Sequence, residues 1–311
     1  MNEKMKNVFK RPFFNLIRRK CRFGAGNILF IITFVVLVAY VALLLWLMVW
    51  GLLTSVKDFY DDFGLGNVAG FPKKFTFENY KTVFDNFYRI NGDYRIDAFV
   101  IILYTLLYTI GCAFFVTATP CAVSYVVAKF GKKYKWLNVY TSVVLVCLIL
   151  PIVGNYPSEL KLVQSMGIYQ KIWGVWILKM NFLSIYYLVF LGAFAGMSAG
   201  YSEAAKIDGA GNFRILFKIY LPLIRNLFGT VFLIQFIVFW NDFQTPLLYL
   251  GDEYPTIAYW LFRFNENTMS GVSTVPVKVA ATMVLVVPIF VLFLIFSKKL
   301  MGNLSLCGIK E

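Results

Sequence analysis

Long stretches of this chain show no alternation of apolar and polar positions. The runs 28–53, 98–128, 136–156, 182–200 and 279–297 carry no charged residue, and the run 227–250 carries one, Asp242. A bilayer core of about 30 Å is crossed by about 20 apolar helical residues. Each run is therefore read as a transmembrane helix, with Pro120 and Pro151 tolerated because neighbouring helices can satisfy the freed backbone groups. The first run is too long for the apolar core of a signal peptide and is followed by no small-residue cleavage site, so it is expected to be retained. The pattern predicts an all-α, polytopic membrane protein with six spans.

The organisation expected from these runs is a basic N-terminal segment, 1–27, a peripheral first span, 28–55, and an external segment, 56–97. A core membrane domain, 98–297, and a C-terminal tail, 298–311, complete it. Orientation follows from Lys and Arg, which mark cytoplasmic segments. With the N-terminus inside, the segments 1–27, 129–135, 201–225 and 298–311 hold 19 of the 30 basic residues. The longer outer segments hold the other 11. Both termini are thus expected in the cytoplasm.

Composition agrees with a lipid solvent. The chain is 59% hydrophobic and only 15% charged, against about 25% charged in soluble domains. The net charge of +14 would suit a nucleic-acid partner in a soluble protein, but here it belongs to cytoplasmic loops, and no nucleic-acid partner is expected. There is no histidine, which removes His-based triads, HExxH metal sites and His proton relays. Cys112, Cys121 and Cys147 lie in apolar runs, and Cys21 and Cys307 lie in basic terminal segments. None falls in an expected external loop, so no disulfide framework is predicted. No catalytic constellation and no metal site emerge.

The polar stretch 201–222 stands out. Glu203, Ala204 and Ala205 favour helix, and Glu203 suits a first turn, where the helix dipole is positive. Gly209 and Gly211 interrupt it. Phe213, Leu216, Phe217 and Tyr220 fall on one helical face and Arg214 and Lys218 on another. Pro222 suits the start of a new helix. The stretch reads either as a loop lying on the membrane surface or as a rigid knob offered to a cytoplasmic partner.

Glu203, Ala204, Ala205 and Gly209, followed by Ile219, Leu221 and Pro222, resemble the EAA signature of binding-protein-dependent ABC importer permeases. Asp208 fits the carbohydrate form of that loop. The stretches 50–57, 75–80, 240–247 and 304–310 also resemble carbohydrate permeases, and the tail is similar to that of the maltose-type second permease. The resemblance implies a type I importer fold and a bacterial or archaeal cell-membrane location. It implies a second permease subunit, two ATPase subunits, an extracellular sugar-binding protein and a sugar or oligosaccharide substrate. ATP would be bound by the partner ATPase, and this chain would need no cofactor. One departure concerns the Ile-Pro pair that usually precedes the signature, which is replaced here by 197–201. Without that proline the fourth span is expected to run on into the loop.

Gln235, Phe239, Asp242 and Thr245 recur at helical spacing in the fifth run, with Asn241 beside them. Amide, carboxylate and aromatic groups suit a sugar's hydroxyls and C–H face. The same residues equally suit bracing of neighbouring helices, because a polar group at membrane depth needs a partner. A secondary transporter would carry several ionisable residues in its spans, and a channel a pore-lining repeat; neither is seen. A permease for a non-sugar solute remains the other reading. The chain has no phosphate-binding Gly-x-x-x-x-Gly-Lys-Ser/Thr loop, so the ATPase is expected to be another polypeptide.

Overall fold

The computed structural model describes residues 25–134, 136–150, 154–198, 200–268 and 272–304. The basic N-terminal segment with Cys21 and the last seven residues with Cys307 lie outside the described residues. The first helix, α1 (Ala25–Ser55), is apolar all round. From Leu29 to Leu47 nearly every large side chain is exposed, as a helix solvated by lipid requires. Its C-terminal end is pinned: Asn79 donates its side-chain amide to the carbonyls of Ser55 and Lys57.

The segment that follows is tightly knotted. Asp58 caps a π-helical turn, Phe59–Phe63, by accepting from the amides of Tyr60 and Asp61. Lys57 is fully buried and donates to the carbonyls of Asn67 and Val68. Asp62, also buried, accepts from the Lys73 amide and the Asn67 side chain. Burial alone would raise the Asp62 pKa, but these two donors and the charges of Lys57 and Lys73 outweigh it and hold the pKa below the usual carboxylate value.

A short helix, α2 (Glu78–Asp85), leads to a hairpin, β1 (Tyr88–Asn91) and β2 (Tyr94–Asp97), paired antiparallel with Tyr88 opposite Asp97. Gly92, at φ +57, makes the two-residue turn possible. Arg89 donates to Asp252, and Asn91 to Glu253, which fastens the hairpin to a distant loop. The hairpin is the exception to the all-α expectation. Its alternating Tyr, Arg and Ile positions are too short a signal to separate from a charged loop.

Helix α3 (Ala98–Phe130) is the centre of the core. Helix α4 (Trp136–Ile149) follows it. The chain then folds back through α5 (Tyr156–Ser165) and α6 (Ile172–Leu178). Val163, Ile168, Ile172 and Val175 bury themselves in the same cluster as Tyr108, Cys112 and Trp240. Trp176 stacks on Phe115 and lies in a slot above Gly111, where any Cβ would collide with the indole. Helix α7 (Ile185–Ala195) packs on α3. After it come α8 (Gly200–Ile207), α9 (Asn212–Ile215), a π-helical turn (Leu216–Tyr220) and α10 (Leu221–Trp240), which also packs on α3. Short helices α11 (Gln244–Tyr249) and α12 (Ile257–Asn265) precede α13 (Val275–Leu304).

Among the described residues four helical stretches are long and apolar enough to cross a membrane: Leu29–Ser55, Ala98–Phe130, Asn212–Trp240 and Val275–Ile295. The pair α7 and α8 makes a fifth if the two form one broken span. The apolar run at 136–156 is helical only over Trp136–Ile149. At 1.5 Å per residue that helix is about 21 Å long, short of a full crossing, and residues 151–153 lie outside the described residues.

Three expectations are corrected. The fourth span does not run on into the polar loop. Helix α7 stops at Ala195, where the Gly196 amide closes the last turn on the carbonyls of Gly192 and Phe194, and the Ser198 hydroxyl accepts from the Gly200 amide. Glycine and serine break the helix where a proline was missing. The fifth span begins earlier than 227 and ends earlier than 250. Pro222, which has no N–H for a carbonyl four residues back, lies in the first turn of α10, with one residue between it and the wider π-helical turn, so the helix passes through its position. At the other end Asn241 closes α10, its amide and its side chain both donating to the Ile237 carbonyl. The same π turn alters the amphipathic face. Ile215 and Tyr220, five apart, are buried, while Phe213 and Phe217 point outward.

Candidate functional site

The loop 201–222 is built from two short helices, α8 and α9, followed by the π-helical turn and the start of α10. Glu203 lies in the first turn of α8. The C-terminus is closed by two hydrogen bonds, Gly209 N–H to the Lys206 carbonyl and Ala210 N–H to the Ala205 carbonyl. This is the Schellman arrangement, which needs a residue in the left-handed region. Gly209 supplies it at φ +74, with nothing near enough to obstruct a side chain. The requirement for glycine is therefore conformational. Ala205 and Ala210 face the protein beside Tyr125, Phe194 and Tyr220.

The outward side of the loop is chemically mixed. Glu203, Ala204, Asp208 and Gly209 are exposed. Beside them Ile207 is 87% exposed and Phe213 81%. Ile219 and Leu221 are half-buried against the inner cluster and Pro222 is exposed. Behind the loop, the Lys129 ammonium at the end of α3 lies 5.3 Å from the centre of the Tyr220 ring. Tyr220 in turn packs edge-on against Tyr125 and Phe194. The loop is therefore packed directly against α3 and α7.

Gln235, Phe239, Asp242 and Thr245, expected on one face by their spacing, do not share one, because α10 ends at Trp240. Gln235 and Phe239 stay together and line an open pocket of about 400 Å³ with Lys179, Asn181, Ser184 and Tyr186. The Gln235 amide donates to the Tyr186 hydroxyl at 2.7 Å. Asp242 does other work. It accepts from the Tyr108 hydroxyl at 2.8 Å and from the amides of Gln244 and Thr245, tying α3 to the start of α11. Thr245 is buried and Asn241 is exposed. Sequence reasoning missed Lys179, Asn181, Ser184 and Tyr186, which sit in an expected outer loop or among apolar residues. The available signal was the apolar Ile172–Leu178 segment, too hydrophobic for a solvated connector.

Comparison with known proteins bears on the whole arrangement. Residues 111–302 match the family model of the binding-protein-dependent transport system inner membrane component. The multiple sugar-binding transport system permease protein MsmG of Streptococcus mutans is 25% identical over 248 residues, covering 79% of this chain and 85% of that protein. The arabinooligosaccharides transport system permease protein AraQ of Bacillus subtilis is 24% identical over 241 residues, covering 77% and 80%. A chain of the crystal structure of a bacterial ABC transporter involved in the import of the acidic polysaccharide alginate superposes with a TM-score of 0.69 at 19% identity. That match covers 89% of this chain and 98% of the other. At that identity the likeness concerns the fold, which is that of an ABC transporter permease. The loop, the bundle around α3 and the matched region thus describe one molecule, and the chain belongs to the family of binding-protein-dependent transport system inner membrane components.

Proposed function

We propose that this chain is the permease subunit of an ATP-driven importer of sugars or oligosaccharides, that it forms half of the translocation pathway, and that it is driven through the loop 201–222 by a separate ATPase. The observation that carries the reading is the exposed tip of that loop. Glu203 and Ile207 before the turn at Gly209, and Phe213 after it, are all exposed. Large apolar side chains next to a carboxylate are costly in water and suit a protein cleft lined with apolar and basic groups. The sugar-transport names of the relatives, MsmG and AraQ among them, support saccharides as the cargo.

The arrangement we propose has six spans, with 136–156 completing the set, both termini in the cytoplasm, 56–97 outside and 98–297 as the core domain. A second permease, two ATPase subunits and an extracellular sugar-binding protein complete the complex. Two ATPase subunits acting on a symmetric nucleotide dimer call for two docking loops, hence a second permease. The test is purification from membranes followed by reconstitution into liposomes with external binding protein and radiolabelled oligosaccharides. Uptake that requires ATP inside, together with a co-purified ATPase, is the expected result. Uptake by this chain alone would overturn the proposal.

A further inference from the structure

The pocket beside α10 carries a positive charge that the fold does not neutralise. Lys179 directly follows α6. That helix is held by the burial of Ile172 and Val175 and by Trp176 in the Gly111 slot, so the lysine's position is set by packing. Its ammonium lies 5.9 Å from the centre of the Phe239 ring and, among the described residues, makes no ion pair. The described residues lining the pocket include no acid. Asp242, three residues beyond Phe239, is already engaged by Tyr108 and by two backbone amides.

We infer that this pocket is a subsite for an acidic saccharide, a sugar unit bearing a carboxylate, and that Lys179 is the residue that reads the charge. The inference rests on the saccharide reading above and narrows it to a substrate class. Lys179 is half-buried and has no acidic partner among the described residues, and the Phe239 ring compensates its charge only in part. The remaining groups suit the rest of a sugar. Asn181 and Ser184 offer polar groups. The Gln235–Tyr186 hydrogen bond, with the amide as donor, leaves the Tyr186 proton free to donate and the Gln235 carbonyl oxygen free to accept. A neutral sugar could use those groups but would leave the ammonium unpaired. A carboxylate satisfies both.

The test uses the complete importer in phosphatidylcholine nanodiscs, with the natural cysteines replaced and Met180→Cys as a reporter in the pocket lining. The rate of modification by a neutral methanethiosulfonate is measured with digalacturonate present, or with its uncharged methyl ester. Digalacturonate is expected to protect at a concentration about tenfold or more below that of the ester, the usual weight of a charged hydrogen bond. Lys179→Gln should abolish the difference and Lys179→Arg should keep it. Equal protection by both compounds, protection by neither, or a difference that survives Lys179→Gln would overturn the inference. So would a lipid occupant, shown by phosphatidylglycerol doping that protects the reporter when digalacturonate does not. The same variants, reconstituted in liposomes, are assayed for bound ATPase and ATP-driven oligosaccharide uptake. A coupled importer without charge-selective protection sinks this inference alone, whereas a chain without ATPase sinks the permease reading itself.

Discussion

At the scale of single residues, two glycines do different jobs. Gly209 is needed for its backbone: at φ +74 with open space around it, any side chain fits but the conformation is strained. A β-branched residue there carries about 1–2 kcal/mol of strain, a factor of about 5–30 in the population of the native loop. Gly209→Val is therefore expected to leave membrane insertion intact and to lower uptake by roughly that factor, as read from membrane level and labelled-sugar transport on the same vesicles. Gly111 is needed for its missing side chain, because Trp176 occupies the space. Gly111→Leu overpacks that contact at a cost of about 1–3 kcal/mol. It should lower the thermal midpoint followed by tryptophan fluorescence in detergent, while Gly229→Ala, at a glycine with open space around it, should leave the midpoint nearly unchanged. The first glycine was legible in the sequence, because it interrupts a helical pattern between Asp208 and Ala210. The second was not, because a glycine in an apolar run gives no sign of the distant indole it admits.

At the scale of elements, length and uninterrupted apolarity located α1, α3 and α13. They failed where the chain breaks helices by means other than proline or charge. Helix α7 ends on Gly196 and Ser198, and α10 on Asn241 and Asp242, all within runs that read as continuous. The fold-back of α5 and α6 was hidden for the opposite reason: the polar residues of α5 and the shortness of the apolar α6 made neither read as part of the core, although Val163, Ile172 and Val175 are core. The knot around Asp62 yields a test of its own. Its pKa is depressed in the folded protein, so the stabilisation it provides is fully present above the ordinary Asp value of about 3.9. That stabilisation is lost as pH falls through the lower, folded value. Hydrogen exchange of residues 56–77, corrected for intrinsic rates, should lose protection in that acid range. Asp62→Asn should show the lost protection already at neutral pH.

At the scale of the whole molecule, the bias of basic residues assigns the sides that a bare set of helices leaves open. Orientation is tested by single cysteines at Phe71 and Asn212 in a chain without its natural cysteines. An impermeant thiol reagent applied to whole cells should label the first and spare the second, and the reverse pattern would invert the topology. The central claim is that the exposed loop drives this permease by docking on an ATPase. Its most direct measurement is the ratio of sugar imported to ATP hydrolysed in reconstituted importers carrying Glu203→Lys. Removing one member of a buried interfacial charge pair costs about 2–5 kcal/mol, and reversing the charge costs at least as much. The account predicts normal insertion, a large loss of bound ATPase and uptake reduced to background. Wild-type ATPase content and a wild-type transport ratio would contradict it and leave 201–222 an ordinary connector.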